Sequence, residues 1–453
     1  MKSRVVDMTK GNTTRLLVNF MLPMLLGNLF QQLYNFVDSM IVGKFVGADA
    51  LAAVGATSAI NFLFFSLCNG LASGIGIVIS QYFGAERDDD VRNTIGNALY
   101  IMGLSAFVMT VLGILLARPV LSFLRTPSNI LNSSAEYMII ISSGIIFISS
   151  YNCVSAILRA VGDSKSPLYF LILSCFVNIG LDLLFVYVFR MGVAGAGIAT
   201  ILSQLIAALG SFLFALKTNI YFKLKKKDLS YNKIIVARSV KIGVPLAFQS
   251  SLIAISCVAL QSVVNTFGSA VVAAFTATSR IEQLVQQPFN SLGMAVSTFT
   301  GQNIGAGNEA RVKKGLWTGM AIMALFVMVY LPSAQFGGEF FISLFVNDAE
   351  VIALGGNALK ITSWFYVFLG MIYVARGMLN GAGDAIFAFV NGFVEMLGRI
   401  CFARPFTMIP GVGVWGVWLA TGMTWCVTGI ISLLRYLQGK WKVNVPKKVE
   451  INE

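Results

Sequence analysis

The chain has no histidine among its 453 residues. That absence excludes imidazole metal sites and imidazole proton relays, so any proton the protein moves must ride on carboxylates. Charge is also scarce. Asp, Glu, Lys and Arg together make up 12% of the chain, whereas a soluble domain is about a quarter charged. The six cysteines (Cys68, Cys153, Cys175, Cys257, Cys401 and Cys426) lie in apolar stretches and form no CxxC pair. They read as small membrane hydrophobes rather than metal ligands or disulfides. HExxH, GxSxG and GxxxxGK[ST] are missing too, and with them the usual metal, nucleophile or phosphate cradle of an enzyme.

What the chain does have is apolar surface: 57% hydrophobic residues and a mean hydropathy of +0.78. Too few charges are present to cover a water-facing exterior, so lipid is the solvent for much of the chain. A spanning helix needs about 20 mostly apolar residues. Reading between polar interruptions gives spans at 15–44, 50–83, 93–117, 131–158, 167–189, 193–216, 239–266, 271–304, 314–336, 352–379, 385–409 and 413–437. The first follows a basic start (Lys2, Arg4, Lys10, Arg15). It runs past signal-peptide length without an A-x-A-like cleavage site, so it is expected to be a span and not a removed signal.

Lys and Arg distribution sets the orientation. With a cytoplasmic N-terminus, only Lys44, Arg118, Arg125, Arg190, Lys360, Arg399 and Arg404 of the 33 Lys and Arg fall outside, and Arg280 sits within a span. Both termini are therefore expected in the cytoplasm, with the chain in the plasma membrane. The net charge of +13 follows from the same asymmetry, which argues against a nucleic-acid partner. The densest basic stretch, from Lys217 to Lys241, is expected to lie against anionic lipid headgroups.

An internal repeat runs through the chain at a constant offset of 221 in residue number. Gln81-Tyr82-Phe83-Gly84-Ala85 returns as Gln302-Asn303-Ile304-Gly305-Ala306, and Ala56-Thr57-Ser58 returns as Ala277-Thr278-Ser279. Gly162-Asp163 matches Gly383-Asp384, while Gly192-Val193 and Ala199-Thr200 match Gly413-Val414 and Ala420-Thr421. The expected fold is thus an all-α integral membrane protein, with twelve transmembrane helices forming two six-helix pseudo-symmetric bundles around a central cavity. Residues 1–216 form the N-terminal lobe, 217–238 a cytoplasmic basic linker and 239–453 the C-terminal lobe. The repeated Gly-Asp and Gln-x-x-Gly-Ala positions read as helix caps and tight turns.

Ionisable residues inside a bilayer are expensive and are functional candidates by default. Asp38, Asp182, Glu282 and Glu395 are carboxylates within spans. Asp38, Asp182 and Thr200 lie six, eight and eight positions from Lys44, Arg190 and Gly192, which puts all three roughly 9–12 Å below the outer edge. Asn178 sits one turn before Asp182 on the same face. These oxygens can hold a sodium ion, or the two carboxylates can share a proton; alternatively, backbone or water satisfies each one separately. At the same repeat offset Asp38 faces Ala259 and Asp182 faces Ala403, so the pair is not duplicated. Glu395 and Arg399 are an i,i+4 pair expected to neutralise each other. Glu282 lies near the midplane beside Gln283, Gln286 and Gln287 and is a candidate contact for a cationic substrate.

The runs Gln31-Gln32-Leu33-Tyr34-Asn35-Phe36-Val37-Asp38 and Gly47-Ala48-Asp49-Ala50-Leu51-Ala52-Ala53-Val54-Gly55 resemble the first span and following loop of the multidrug and toxic compound extrusion (MATE) family. Ile157-Leu158-Arg159-Ala160-Val161-Gly162-Asp163, Asn178-Ile179-Gly180-Leu181-Asp182 and Gly192-Val193-Ala194-Gly195-Ala196 are similar to it as well. The resemblance spans essentially the whole chain. It implies a prokaryotic-type antiporter in which an inward proton or sodium gradient drives export of cationic, lipophilic drugs and other xenobiotics. It further implies cation coupling at Asp38, Asn178, Asp182 and Thr200, with H⁺ or Na⁺ as the coupling ion and no other cofactor. At the family's span-4 Asn position stands Ser155, with Asn152 three residues earlier. Where some members carry acids on spans 7 and 10, Gln249 and the surroundings of Leu369 offer none. Gln249, Gln283 and Asn152 join Glu282 as substrate-cavity candidates. The expected partners are small organic cations and membrane lipids, and the chain is expected to work as a monomer.

Three rivals compete with this reading. A lipid-linked precursor flippase needs a cationic cavity, whereas the buried charges here are mainly acidic. An integral membrane enzyme needs a nucleophile or metal that the sequence does not supply. A major-facilitator transporter also has six plus six spans, but its basic loop after span 2 is replaced here by Glu86-Arg87-Asp88-Asp89-Asp90.

Overall fold

A computed structural model describes residues 5–444. Helices dominate because long apolar runs can satisfy their backbone groups internally only as helices when lipid surrounds them. The first half comprises α1 (Thr13–Phe45), α2 (Ala48–Gly84), α3 (Asp88–Phe123), α4 (Ser128–Ser143), α5 (Ile145–Ala160), α6 (Lys165–Asp182) and α7 (Gly192–Thr218). The second comprises α8 (Lys233–Val264), α9 (Ser269–Gly305), α10 (Glu309–Ser343), α11 (Ala349–Ser363), α12 (Tyr366–Gly381), α13 (Ala385–Thr407) and α14 (Gly416–Leu437).

Among the described residues nine helices are long and apolar enough to cross a membrane, and two further spans are bent pairs. The bent pairs are α4 with α5, turned by 46°, and α11 with α12, turned by 53°. Each is the fourth span of its half, and the sequence pattern reads both as unbroken. The remaining helix, α9, has 37 residues but carries Arg280, Glu282, Gln283, Gln286 and Gln287 in its middle. Large apolar side chains cover the outer surface, among them Phe107, Leu115, Met328 and Phe336, the last 93% exposed. In water such a surface marks association; in lipid it is simply solvated.

The repeat extends to the backbone. Left-handed φ angles occur at Gly47 and Gly268, Glu86 and Gly307, Gly162 and Gly383, Arg190 and Gly411, and Gly192 and Gly413. Each pair keeps the offset found in the sequence. At Gly162 the requirement is doubled, because a Cβ there would also collide with the Val6 carbonyl. The neighbouring Asp163 caps α6, accepting from the backbone N–H of Lys165 (3.1 Å) and Ser166 (2.9 Å). Its counterpart Asp384 does different work and takes a bidentate contact from Arg435 at 2.7 and 3.0 Å.

The described chain clusters into two compact units. One holds residues 5–7 and Leu22–Ala247, the other Met8–Met21 and the chain from Phe248 onward. In the first unit α2 meets the start of α8 through small residues. A Cβ on Gly74 would lie 2.6 Å from backbone atoms of Ser239 and Gly243, and one on Gly70 would lie 2.5 Å from the Ala247 nitrogen. Close backbone approach of this kind lets helices associate where lipid removes the hydrophobic drive. The basic segment after α7 is pinned to α3. Asn97 bonds the Ser230 carbonyl and the Asn232 N–H, and Tyr100 bonds the Leu229 carbonyl. The acidic triplet at the start of α3 favours the positive end of that helix, and Asp88 accepts from the Tyr221 phenol at 2.9 Å. In the second unit Trp418, Trp425, Phe289 and Phe299 are fully buried, and the Trp418 indole donates to Thr278 across α14 and α9 (3.3 Å).

Candidate cation-coupling site

Four helices of the first unit deliver the site. On α6, Asn178 and Asp182 share a face one turn apart, and Asp182 is the last α-helical residue before a π-helical stretch, Leu183–Val188. π turns often accompany functional positions because they widen the helix and re-aim side chains. Asp182 is 0% exposed and Asn178 is 1% exposed. With its amide turned so that nitrogen meets the carboxylate, Asn178 donates to Asp182 Oδ2 at 2.7 Å and accepts from the Thr200 backbone N–H at 3.2 Å. Thr200, on α7, donates its hydroxyl proton to the Ala196 carbonyl (3.0 Å).

Helix α1 brings Asp38 within hydrogen-bonding reach of Asp182. Asp38 Oδ1 and Asp182 Oδ1 are buried without a partner. Ionised carboxylates are acceptors only, so contact between two of them calls for a proton or another cation between them. Among the described residues no Lys or Arg acts on either acid. Asp38, Asn178, Asp182 and Thr200 therefore form one cluster.

Two tyrosines complete it, and neither was singled out from the sequence. Tyr34, one turn before Asp38 on α1, lies within hydrogen-bonding reach of Thr200 and within electrostatic reach of both acids. Tyr137, on α4, also acts on both. Tyr34 had a signal, since it stands at i−4 from a membrane acid. Tyr137 had none, because only packing brings α4 to that place.

Ser155 lies elsewhere. It is buried on α5, little more than one turn from the helix end at Ala160, whereas Asp182 closes the 18-residue α6 at the end remote from Lys165. At about 1.5 Å per residue their depths differ by roughly 15–20 Å, so Ser155 does not join the cluster. One turn before it, Tyr151 donates to the Pro167 carbonyl (2.9 Å). Asn152, half-buried on α5, lies three residues further from the helix end at Ala160, so its depth differs from that of Asp182 by about 13 Å.

In the second unit Glu282 is 9% exposed and faces Thr362 and Tyr366. It and Gln283 line a cavity of about 340 Å³ together with Tyr373, Arg376, Glu395 and Arg399. The Glu395–Arg399 pair forms at 3.0 Å. Gln249 does not line this cavity. It is buried against α13, where its amide donates to Asn391 (3.3 Å) and Asn391 donates to Ser432 (2.7 Å). Its polarity is used in helix packing.

Comparison with known proteins agrees with the repeat. Residues 23–184 and 245–403 match the family model described as MatE, one stretch in each half. A Bacillus subtilis (strain 168) protein described as "Probable multidrug resistance protein YpnP" is 32% identical over 451 residues, covering 97% of this chain and 98% of that one. The "Probable multidrug resistance protein NorM" of Thermotoga maritima is 24% identical over 431 residues, covering 94% and 92%. A solved structure of a multidrug resistance MATE family transporter, in an outward-facing conformation, superposes with a TM-score of 0.91 at 22% identity, covering 98% of this chain and 99% of that one. At that identity the likeness is one of fold.

Proposed function

This chain belongs to the MatE family of multi-pass membrane transporters, and on that premise we propose that it is an antiporter exporting small organic cations in exchange for a cation bound at Asp38 and Asp182. One observation carries the reading: two carboxylates in apolar helices lie within hydrogen-bonding reach of each other with no basic side chain beside them among the described residues. Such a pair is costly unless it is occupied, and occupancy that changes during transport is what coupling requires.

The hydrogen bonds favour a proton over sodium. Asn178 spends its amide on Asp182 and on the Thr200 N–H, and the Thr200 hydroxyl is engaged by Ala196 and Tyr34. That leaves Asp38 Oδ1 and Asp182 Oδ1 as buried oxygens without a partner, a set suited to one shared proton.

The cycle follows from charge. Outward-open, the pair takes up the proton, its mutual repulsion falls, and α1 can settle against α6. The singly protonated pair carries one negative charge instead of two and holds a cationic substrate less well, so the substrate leaves to the outside. Facing the cytoplasm, the pair discharges and a new cation enters. The proton drives the exchange only by its differential affinity for the two states; shifting an equilibrium from 1:99 to 99:1 takes about 5.5 kcal/mol. Both termini face the cytoplasm on this reading, as the Lys and Arg distribution requires, and one chain suffices because each carries its own pair.

Efflux of a fluorescent cation from proteoliposomes, with pH and sodium gradients imposed separately, tests it. We expect the pH gradient alone to drive efflux and Asp38→Asn to abolish that efflux at unchanged protein content. Efflux driven by sodium without a pH gradient would reassign the ion. Efflux driven by neither would reject antiport.

A further inference from the structure

We infer that Arg280 sets the charge of the cargo, admitting singly charged organic cations and turning away doubly charged ones. This deepens the export reading by naming a substrate class, and it is tested by binding so that it can fail separately from coupling.

Arg280 lies 11 positions after Ser269, the first residue of α9. That is roughly 16 Å along the helix, about halfway through a hydrocarbon core of about 30 Å. Its side chain is exposed, and among the described residues it makes no hydrogen bond, ion pair or ring contact. A guanidinium at that depth is costly against acyl chains. The rest of the exposed face is polar too. Thr276 and Gln283, one turn to either side, are exposed, and among the described residues Leu284 is the one large apolar side chain that α9 exposes. Helix α10, by contrast, exposes Trp317, Leu325, Met328, Val329 and Phe336. The polar face of α9 therefore meets water, while that of α10 meets lipid.

The repeat supplies a control. At the offset of 221, Arg280 faces Ala59, Gln283 faces Phe62 and Thr276 faces Gly55. A helix with the same place in the fold does without the arginine, so packing does not require it.

What the charge does follows from its neighbours. Ser279 and Gln283 line the cavity of about 340 Å³ in the second unit, whereas Arg280 does not, which puts Arg280 at the rim. Inside, two acids and two guanidiniums balance. Glu395 accepts from Arg399 Nη2 at 3.0 Å and pairs with Arg376 at 4.0 Å, and Arg399 acts on Glu282 as well. Arg280 thus adds one uncompensated positive charge at the entrance. It opposes any cation, and it opposes a second charge on the same molecule again. At an effective dielectric of about 20, a like charge about 10 Å away is disfavoured by about tenfold. Repulsion of the wrong ligand is a general source of specificity.

Ethidium and propidium share one phenanthridinium ring system, and propidium adds a quaternary ammonium on its side chain. Fluorescence anisotropy with the purified full-length protein gives the affinity of each. We expect the wild type to prefer ethidium, and Arg280→Gln to tighten propidium about tenfold more than ethidium. Arg280→Lys keeps the charge and should keep the wild-type ratio within about twofold, whereas Arg280→Glu should favour propidium. Should the variants not fold, the wild type alone decides. Raising salt from about 0.01 M to 1 M shortens screening from about 30 Å to about 3 Å and should erase its preference. An unchanged dye ratio in Arg280→Gln, a lysine variant that behaves like the glutamine one, or a wild-type ratio indifferent to salt would overturn the inference. Charge discrimination that depends on Arg280, alongside a failure of gradient-driven efflux, would reject the antiport reading and leave this one standing.

Discussion

Asp38 and Asp182 in the first unit have Ala259 and Ala403 as their counterparts in the repeat. The second unit puts its charges at Glu282, Arg376, Glu395 and Arg399 instead. The backbone did not diverge in this way. Five pairs of left-handed residues and both broken fourth spans recur in register. Repetition has therefore kept the positions that packing and turns require while leaving the membrane charges free to differ. A half of this design folds with alanine where the other half has its acids, so the fold does not demand the acids. The two charge systems also differ in kind. The first unit sets like charges against each other, whereas the second pairs opposite ones.

The contrast breaks most visibly at Asp38. Asp38→Asn should abolish gradient-driven efflux while thermal unfolding in detergent is unchanged or higher, because a desolvated charge has been removed. Lost efflux together with a large drop in unfolding temperature would make Asp38 a structural residue. Arg399→Ala should do the reverse. Leaving Glu395 buried with only the 4.0 Å ion pair to Arg376 costs up to about 3–5 kcal/mol, read as lower thermal stability, and Glu395→Ala on the same chain should recover part of it. Independent, additive losses would deny the pairing. Gly74→Val tests the close approach of α2 and α8 within the first unit, and forcing side-chain atoms onto Ser239 and Gly243 should cost about 1–3 kcal/mol. Tyr34→Phe should have the smallest effect. Losing the phenol's bond to Thr200 is worth about 0.5–1.5 kcal/mol, seen as a few-fold slower efflux at normal stability, and an unchanged rate would remove Tyr34 from the site.

Much of this was legible in the order of residues. Polar interruptions in the sequence delimit twelve spans, and the constant offset of 221 marks the repeat. Depth reckoned from Lys44, Arg190 and Gly192 brought Asp38, Asp182 and Thr200 to one level. The same arithmetic applied to Ser155 would have excluded it, since it sits near the other end of its span. The breaks in the fourth spans were hidden because Gly144 and Trp364–Phe365 lie inside apolar runs, where periodicity cannot separate a bend from a straight helix. The π turn after Asp182 leaves no compositional mark. Tyr137 and the burial of Gln249 against Asn391 depend on which helices pack together, and a membrane sequence says little about that when every helix is apolar on most sides.

The most direct test is proton release on substrate binding. Ethidium added to purified protein in weakly buffered detergent solution should release about one proton per bound dye, reported by a pH indicator, and Asp38→Asn with Asp182→Asn should release none while still binding dye. Binding without proton release in the wild type, or the same release from the double variant, would contradict the exchange of a cation at Asp38 and Asp182 for the exported molecule.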